Sequence, residues 1–150
     1  SWFMISVAVA GVMIRTVGFR AMNNIPRILL AAPAAGLMGL SLFCLSFSSS
    51  WISFVIFGLI YGFGIGAGFP TDLSLIGDLL SIEYHPKATG SLLLAIDLGW
   101  VITPLIFGAI SPLLGASGAF RLIGILVLAG AAAMQLLCWM PLHKCLKEEA

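Results

Sequence analysis

Residues 88–114 read A-T-G-S-L-L-L-A-I-D-L-G-W-V-I-T-P-L-I-F-G-A-I-S-P-L-L, with Asp97 as their single charge. A helix crossing a hydrocarbon core of about 30 Å needs about 20 mostly apolar residues, so this stretch is long enough to span a bilayer. Asp97 follows Lys87 by about 15 Å of helix, at 1.5 Å per residue, which sets it near the middle of such a core. An ionisable group at that depth costs roughly 2.5–3.5 kcal/mol on insertion scales, so it is a functional candidate by default.

The rest of the chain has the same character. Of 150 residues, 61% are hydrophobic and 9% are charged, with a mean hydropathy of +1.14. Soluble domains carry about 25% charged residues. A folded monomer of this size still exposes a large share of its surface, so water is the wrong solvent for this one. The net charge of +1 offers no basic patch for nucleic acid. The three cysteines, Cys44, Cys138 and Cys145, are odd in number and scattered, and form neither a metal-ligand spacing nor a disulfide framework. His85, beside Pro86, and His143 are far apart and read as solvated loop and tail residues. No metal or cofactor is expected.

Five spans follow from the apolar runs: about 2–22, 27–47, 51–75, 88–114 and 119–140. The cluster Ser48-Ser49-Ser50 separates the second from the third. The polar stretch 77–87 separates the third from the fourth. Gly115-Ala116-Ser117-Gly118 turns the chain into the fifth, and Pro141 stops it. The expected architecture is all-α and integral to a membrane, one unit over 1–150 with a tail at 141–150. No charged region or small-residue cleavage site precedes the first apolar run, so no signal peptide is expected. Ser1 reads as an internal position of a longer protein, and the charged segment ending in Lys147, Glu148 and Glu149 as a natural C-terminus.

Lys and Arg set the orientation. The first connection carries Arg20 and Arg27, with Arg15 just above it; the third carries Lys87; the tail carries Lys144 and Lys147. The second connection has none, and the fourth has only Arg121 beside it. The positive-inside rule places connections one and three and the tail in the cytoplasm of a cell-membrane protein. Trp51 and Trp139 fall at span ends, where aromatic belts lie.

Three segments carry a resemblance. Residues 15–27, R-T-V-G-F-R-A-M-N-N-I-P-R, resemble an eroded copy of the loop signature G-x-L-A-D-R-x-G-R-R of the major facilitator superfamily. Gly18 and Arg27 fit its ends; Met22 replaces its Asp and Ile25 its second Gly. Residues 58–70, G-L-I-Y-G-F-G-I-G-A-G-F-P, resemble the glycine-rich tenth helix of that family. Residues 90–108 are similar to the pattern G-x8-G-x3-G-P-x2-G-G of proton-coupled drug antiporters: Gly90, Gly99, Pro104 and Gly108 fit, while Thr103 and Phe107 replace glycines. That pattern belongs to the fifth helix, whereas this position corresponds to the eleventh, which weakens the antiporter implication. The resemblance covers nearly the whole chain as helices eight to twelve of twelve. It implies secondary transport by alternating access, with a site shared between two six-helix halves near the midplane. The missing N-terminal half of the same chain, the bilayer, a small-molecule substrate and protons are the implied partners.

Against this frame the candidate residues take roles. Asp97 is the proton-coupling group or the anchor of a cationic solute, since a carboxylic acid held out of water favours its neutral form. Trp100 follows at i+3 on the same face, where its ring can stack on a substrate. Thr103 and Pro104 continue that region, and Pro104 frees a carbonyl near Trp100. Tyr61 is a hydroxyl amid the glycines. Gly58, Gly62 and Gly66, with Gly64 and Gly68, suit close helix packing, as do Gly90, Gly99 and Gly108. Their apolar context excludes a nucleotide loop. Arg15 or Arg20 with Asp72 or Asp78 form a candidate cytoplasmic gate, and Arg121 is an interface anchor. A non-transporting membrane scaffold also fits the glycines and the topology but leaves Asp97 without a reason. An intramembrane enzyme needs paired groups, which one deep carboxylate and no deep His do not supply.

Overall fold

The computed structural model describes residues 2–18 and 27–139, and these are almost wholly helical, with no strand among them. Helix α1, Trp2–Met13, runs on through a π-helical turn, Ile14–Gly18. Helix α2 is Arg27–Leu45 and α3 is Trp51–Leu79. A 3-10 turn, Ile82–Tyr84, leads into α4, His85–Ala133, followed by a π segment, Met134–Trp139. Arg20, most of the 15–27 signature and the tail at 141–150 lie outside the described residues.

Local chemistry explains the ends. Ser50 caps α3, its hydroxyl accepting from the Ile52 amide at 3.4 Å. Beyond Leu80 the chain leaves the helix, and Pro86 restarts it in the first turn of α4, where its missing N–H costs nothing. His85 Nε2 lies 2.9 Å from the Leu80 carbonyl, so this histidine ties the loop rather than standing free in solvent. The polar connection is therefore shorter than expected: α3 continues to Leu79 and α4 begins at His85.

The two long apolar helical stretches able to cross a membrane are Trp51–Leu79 and Ile82–Leu137, and shorter apolar helices cover Trp2–Gly18 and Leu29–Leu45. The segments expected as the fourth and fifth spans are two helical arms of α4. They meet at Gly115, whose φ of 72° breaks the helical path. A straight helix would hold the rings of Phe107 and Phe120 roughly 20 Å apart. Their centroids lie 5.0 Å apart, so the arms 85–114 and 116–133 fold back towards each other. Only glycine adopts this backbone geometry without strain.

Packing runs in a row: α1 on α3, α3 on α2, and α2 on the second arm of α4. Glycines make each crossing. A Cβ on Gly62 would stand 2.5 Å from the Val7 carbonyl oxygen; Gly58 and Gly66 meet Ser6 and Ile14 in the same seam with α1. Gly64 faces α2 instead, at Ala34 and Met38. Gly39 and Gly124 approach one another, each hypothetical Cβ about 3 Å from the other's carbonyl oxygen (3.1 and 3.0 Å). Ser41, fully buried, donates across to the Phe57 carbonyl. Among the described residues the buried side chains are mostly small: Ala10, Ala31, Ala32, Ala34, Ala119 and Ala131, with Ser6, Ser41, Ser46 and Thr71, and only Leu45 and Leu75 of the larger apolar ones. Most of the large apolar side chains, such as Ile5, Leu94 and Leu126, point outward. That inversion suits lipid, which solvates leucine as well as a core does, and not water.

Candidate functional site

Asp97, Trp100, Thr103 and Pro104 all lie on the first arm of α4 and all are exposed. Asp97 and Trp100 share one face by their spacing, with Trp100 69% exposed. No residue from 76 to 118 is buried, and the described residues leave Asp97 and Trp100 open, although Phe107 on the same arm packs on Phe120. The enclosure expected for Asp97 is therefore not supplied by the described residues. The same holds for the glycines read as packing positions there. Nothing lies within 4 Å of where a Cβ would stand at Gly90, Gly99 or Gly108. They make no helix contact within the described residues, because the arm that carries them has no neighbour on that face.

Tyr61 belongs to a different surface. It is half-buried on α3 with its ring 5.9 Å from that of Phe3, in the seam between α3 and α1. The structure records no contact between it and the Asp97 face. Pro70, at the end of the same glycine run, is followed by Thr71, whose hydroxyl donates to the Ala67 carbonyl at 2.7 Å. Self-satisfied hydroxyls of this kind, also seen at Ser6 and Thr16, keep polar groups paired where water is absent.

The charged end departs from expectation. Asp78 pairs with Arg27, not with Arg15: one terminal nitrogen of Arg27 lies 2.9 Å from both carboxylate oxygens. Both side chains are nearly half exposed (43% and 49%), so the pair is screened and weak. It links the start of α2 to the end of α3, closing the same layer in which Ala31, Leu75, Leu29 and Met134 cluster. Arg15 is exposed in the π turn, and Asp72 is half-buried one position past Thr71. At the other end Arg121 Nε donates to the Ser46 hydroxyl at 3.1 Å, and its guanidinium lies 4.1 Å from the centroid of Phe47. Sequence reasoning did not find this stacking, the Gly39–Gly124 crossing or the buried, unpartnered Gln135 carbonyl oxygen. A lone glycine in an apolar helix was the signal available for the second of these.

A family model described as Major Facilitator Superfamily matches residues 1–145, the described bundle from end to end. The chain belongs to the major facilitator superfamily. It is therefore a membrane protein of a transporter family, and its small-residue seams and outward apolar side chains are the membrane packing such a protein needs. No curated protein and no solved structure matches it. The superfamily frame gives meaning to the uncovered arm. In that frame a carboxylate on a membrane-length apolar arm, left open by the described residues, is a functional candidate.

Proposed function

We propose that this superfamily chain forms part of a secondary active transporter for a small organic solute, driven by protons and working by alternating access. Its arms and helices correspond to helices eight to twelve of twelve, five crossings in all, with the C-terminus in the cytoplasm of a cell-membrane protein. It carries no enzymatic reaction and needs no cofactor. Asp97 is the coupling carboxylate, Trp100 and Thr103 line the solute path beside it, and the N-terminal half of the protein covers the arm on which they stand. Tyr61 acts within the α1–α3 seam. The observation that carries this reading is the exposure of Asp97 on an arm without one buried residue. Left against lipid, the charge would cost roughly 2.5–3.5 kcal/mol, whereas a water-filled or solute-filled cavity between two bundles removes that cost. A mid-membrane acid beside an aromatic ring suits a cationic or amphipathic solute.

Full-length protein in liposomes with an imposed proton gradient tests it. A panel of organic cations is offered, and accumulation is followed by scintillation counting. Asp97→Asn is expected to lower gradient-driven accumulation at least about tenfold, a change of 1.4 kcal/mol or more in transition-state terms, with the protein still inserted. Wild-type accumulation by that variant across pH would reject Asp97 as the coupling group. No solute movement by the wild-type protein on any panel member would favour a scaffold.

A further inference from the structure

The end of the bundle opposite the Arg27–Asp78 pair holds a cation without a carboxylate beside it. The sequence has no Asp or Glu between Ser46 and Thr71, and none between Leu98 and Lys147. Among the described residues the one ion pair is Arg27–Asp78. Arg121 is nonetheless fixed in place: its Nε is committed to Ser46, whose own hydroxyl donates to the Phe43 carbonyl at 2.7 Å, and one face of its guanidinium stacks on Phe47. The terminal amino groups make no hydrogen bond among the described residues. An arginine held by its Nε and one face presents those two groups as a preset fork, the geometry that receives phosphate oxygens.

Phe47, on which Arg121 stacks, also lines a groove in which serine hydroxyls stand among apolar side chains. This groove of about 450 Å³ is lined by Phe47, Ser48, Ser49, Ser50 and Ser53, among others. Ser48, Ser49 and Ser53 make no side-chain hydrogen bond among the described residues, so three hydroxyl donors remain available. The groove also holds the N-terminal turn of α3, the positive end of a 29-residue helix. Its depth is marked by Trp51, 65% exposed, an aromatic ring of the kind that settles at headgroup level.

We propose that Arg121 and the 48–53 serine groove form a binding site for an anionic phosphate group, as carried by an anionic phospholipid headgroup and by free phosphate alike. The Arg121 fork takes two phosphate oxygens and the serine hydroxyls take the remainder. The lipid tails, where present, lie along the exposed apolar side chains below. The site is independent of transport and of Asp97, so it stands or falls separately from the proposed function.

Full-length protein, stripped of lipid in detergent, is titrated with dioleoylphosphatidylglycerol, with dioleoylglycerol, which has the same tails and no phosphate, and with inorganic phosphate. Bound adducts are read by native mass spectrometry and unfolding by a thermal shift. Wild-type protein is expected to retain phosphatidylglycerol about tenfold more tightly than dioleoylglycerol, and Arg121→Gln to erase that preference. Arg121→Lys, which keeps the charge without the fork, should retain only part of it. Ser49→Ala with Ser53→Ala, which remove no observed contact, should lower phosphatidylglycerol retention severalfold even if Arg121→Gln fails to fold. Inorganic phosphate that stabilises the wild type and not Arg121→Gln identifies the free anion as an occupant; stabilisation by the lipid alone identifies the headgroup. Equal retention of the two lipids with no effect of phosphate, or phosphatidylglycerol retention unchanged in folded Arg121→Gln and in the double serine variant, overturns the site.

Discussion

Asp97 and Asp78 are both exposed carboxylates, yet they differ in kind. Asp78 sits at a helix end with Arg27 within 2.9 Å, where water and salt screen the pair. Its removal should matter little: Asp78→Asn is expected to cost at most about 1 kcal/mol of stability, and a double-mutant cycle with Arg27→Gln in chemical denaturation should give a coupling no larger. A gate that joins α2 to α3 also joins two helices of one bundle, so loss of the pair should leave the direction of transport unchanged. Asp97 has no partner among the described residues and lies in the middle of a membrane-length arm, so its substitution should act on function rather than on the folding of this bundle.

Among the elements, the glycines Gly58, Gly62 and Gly66 of α3 and those of the first arm of α4 look alike in sequence and behave oppositely. Gly62→Leu would drive a side chain into the Val7 carbonyl and Ala10. Overpacking of that kind is expected to destabilise by about 1–3 kcal/mol, read as a loss of resistance to denaturant or detergent. Gly90→Ala meets open space, and helix propensity favours alanine by about 1 kcal/mol, so this variant should be neutral or stabilising in the folding of the chain. If Gly90→Ala or Gly108→Ala instead abolishes transport while the protein stays folded, the arm packs against another bundle during the cycle. Gly115 is a third kind. Its φ of 72° makes Gly115→Ala strained regardless of space, at a cost of about 1–3 kcal/mol, and disulfide trapping between cysteines placed at 107 and 120 should report whether the arms still fold back.

For the whole molecule, the uncovered arm predicts a change of environment on assembly. A single cysteine at the Trp100→Cys position should react with a membrane-impermeant maleimide in the full-length protein, and saturating solute should slow that reaction severalfold, on the order expected of a site occupied above its dissociation constant. A rate indifferent to every solute would place Trp100 against protein or lipid and remove it from the solute path.

The hydropathy pattern, the scarcity of charge and the spacing of the apolar runs were enough to establish a helical membrane chain and the seam-forming role of Gly58, Gly62 and Gly66, because lipid leaves the backbone few alternatives to helix and small residues few uses besides close approach. The turn at Gly115 was legible for the same reason, in its clustered glycines. Which faces meet was not. Arg27 rather than Arg15 reaches Asp78; Gly39 finds Gly124 across 85 positions; Gly99 and Gly108 find nothing; and Arg121 lies on Phe47. Sequence periodicity fixes a residue's position around its own helix axis, but contact depends on how each helix is rotated and crossed against its neighbours. That is set by the packing of several seams at once, and so by the tertiary structure alone.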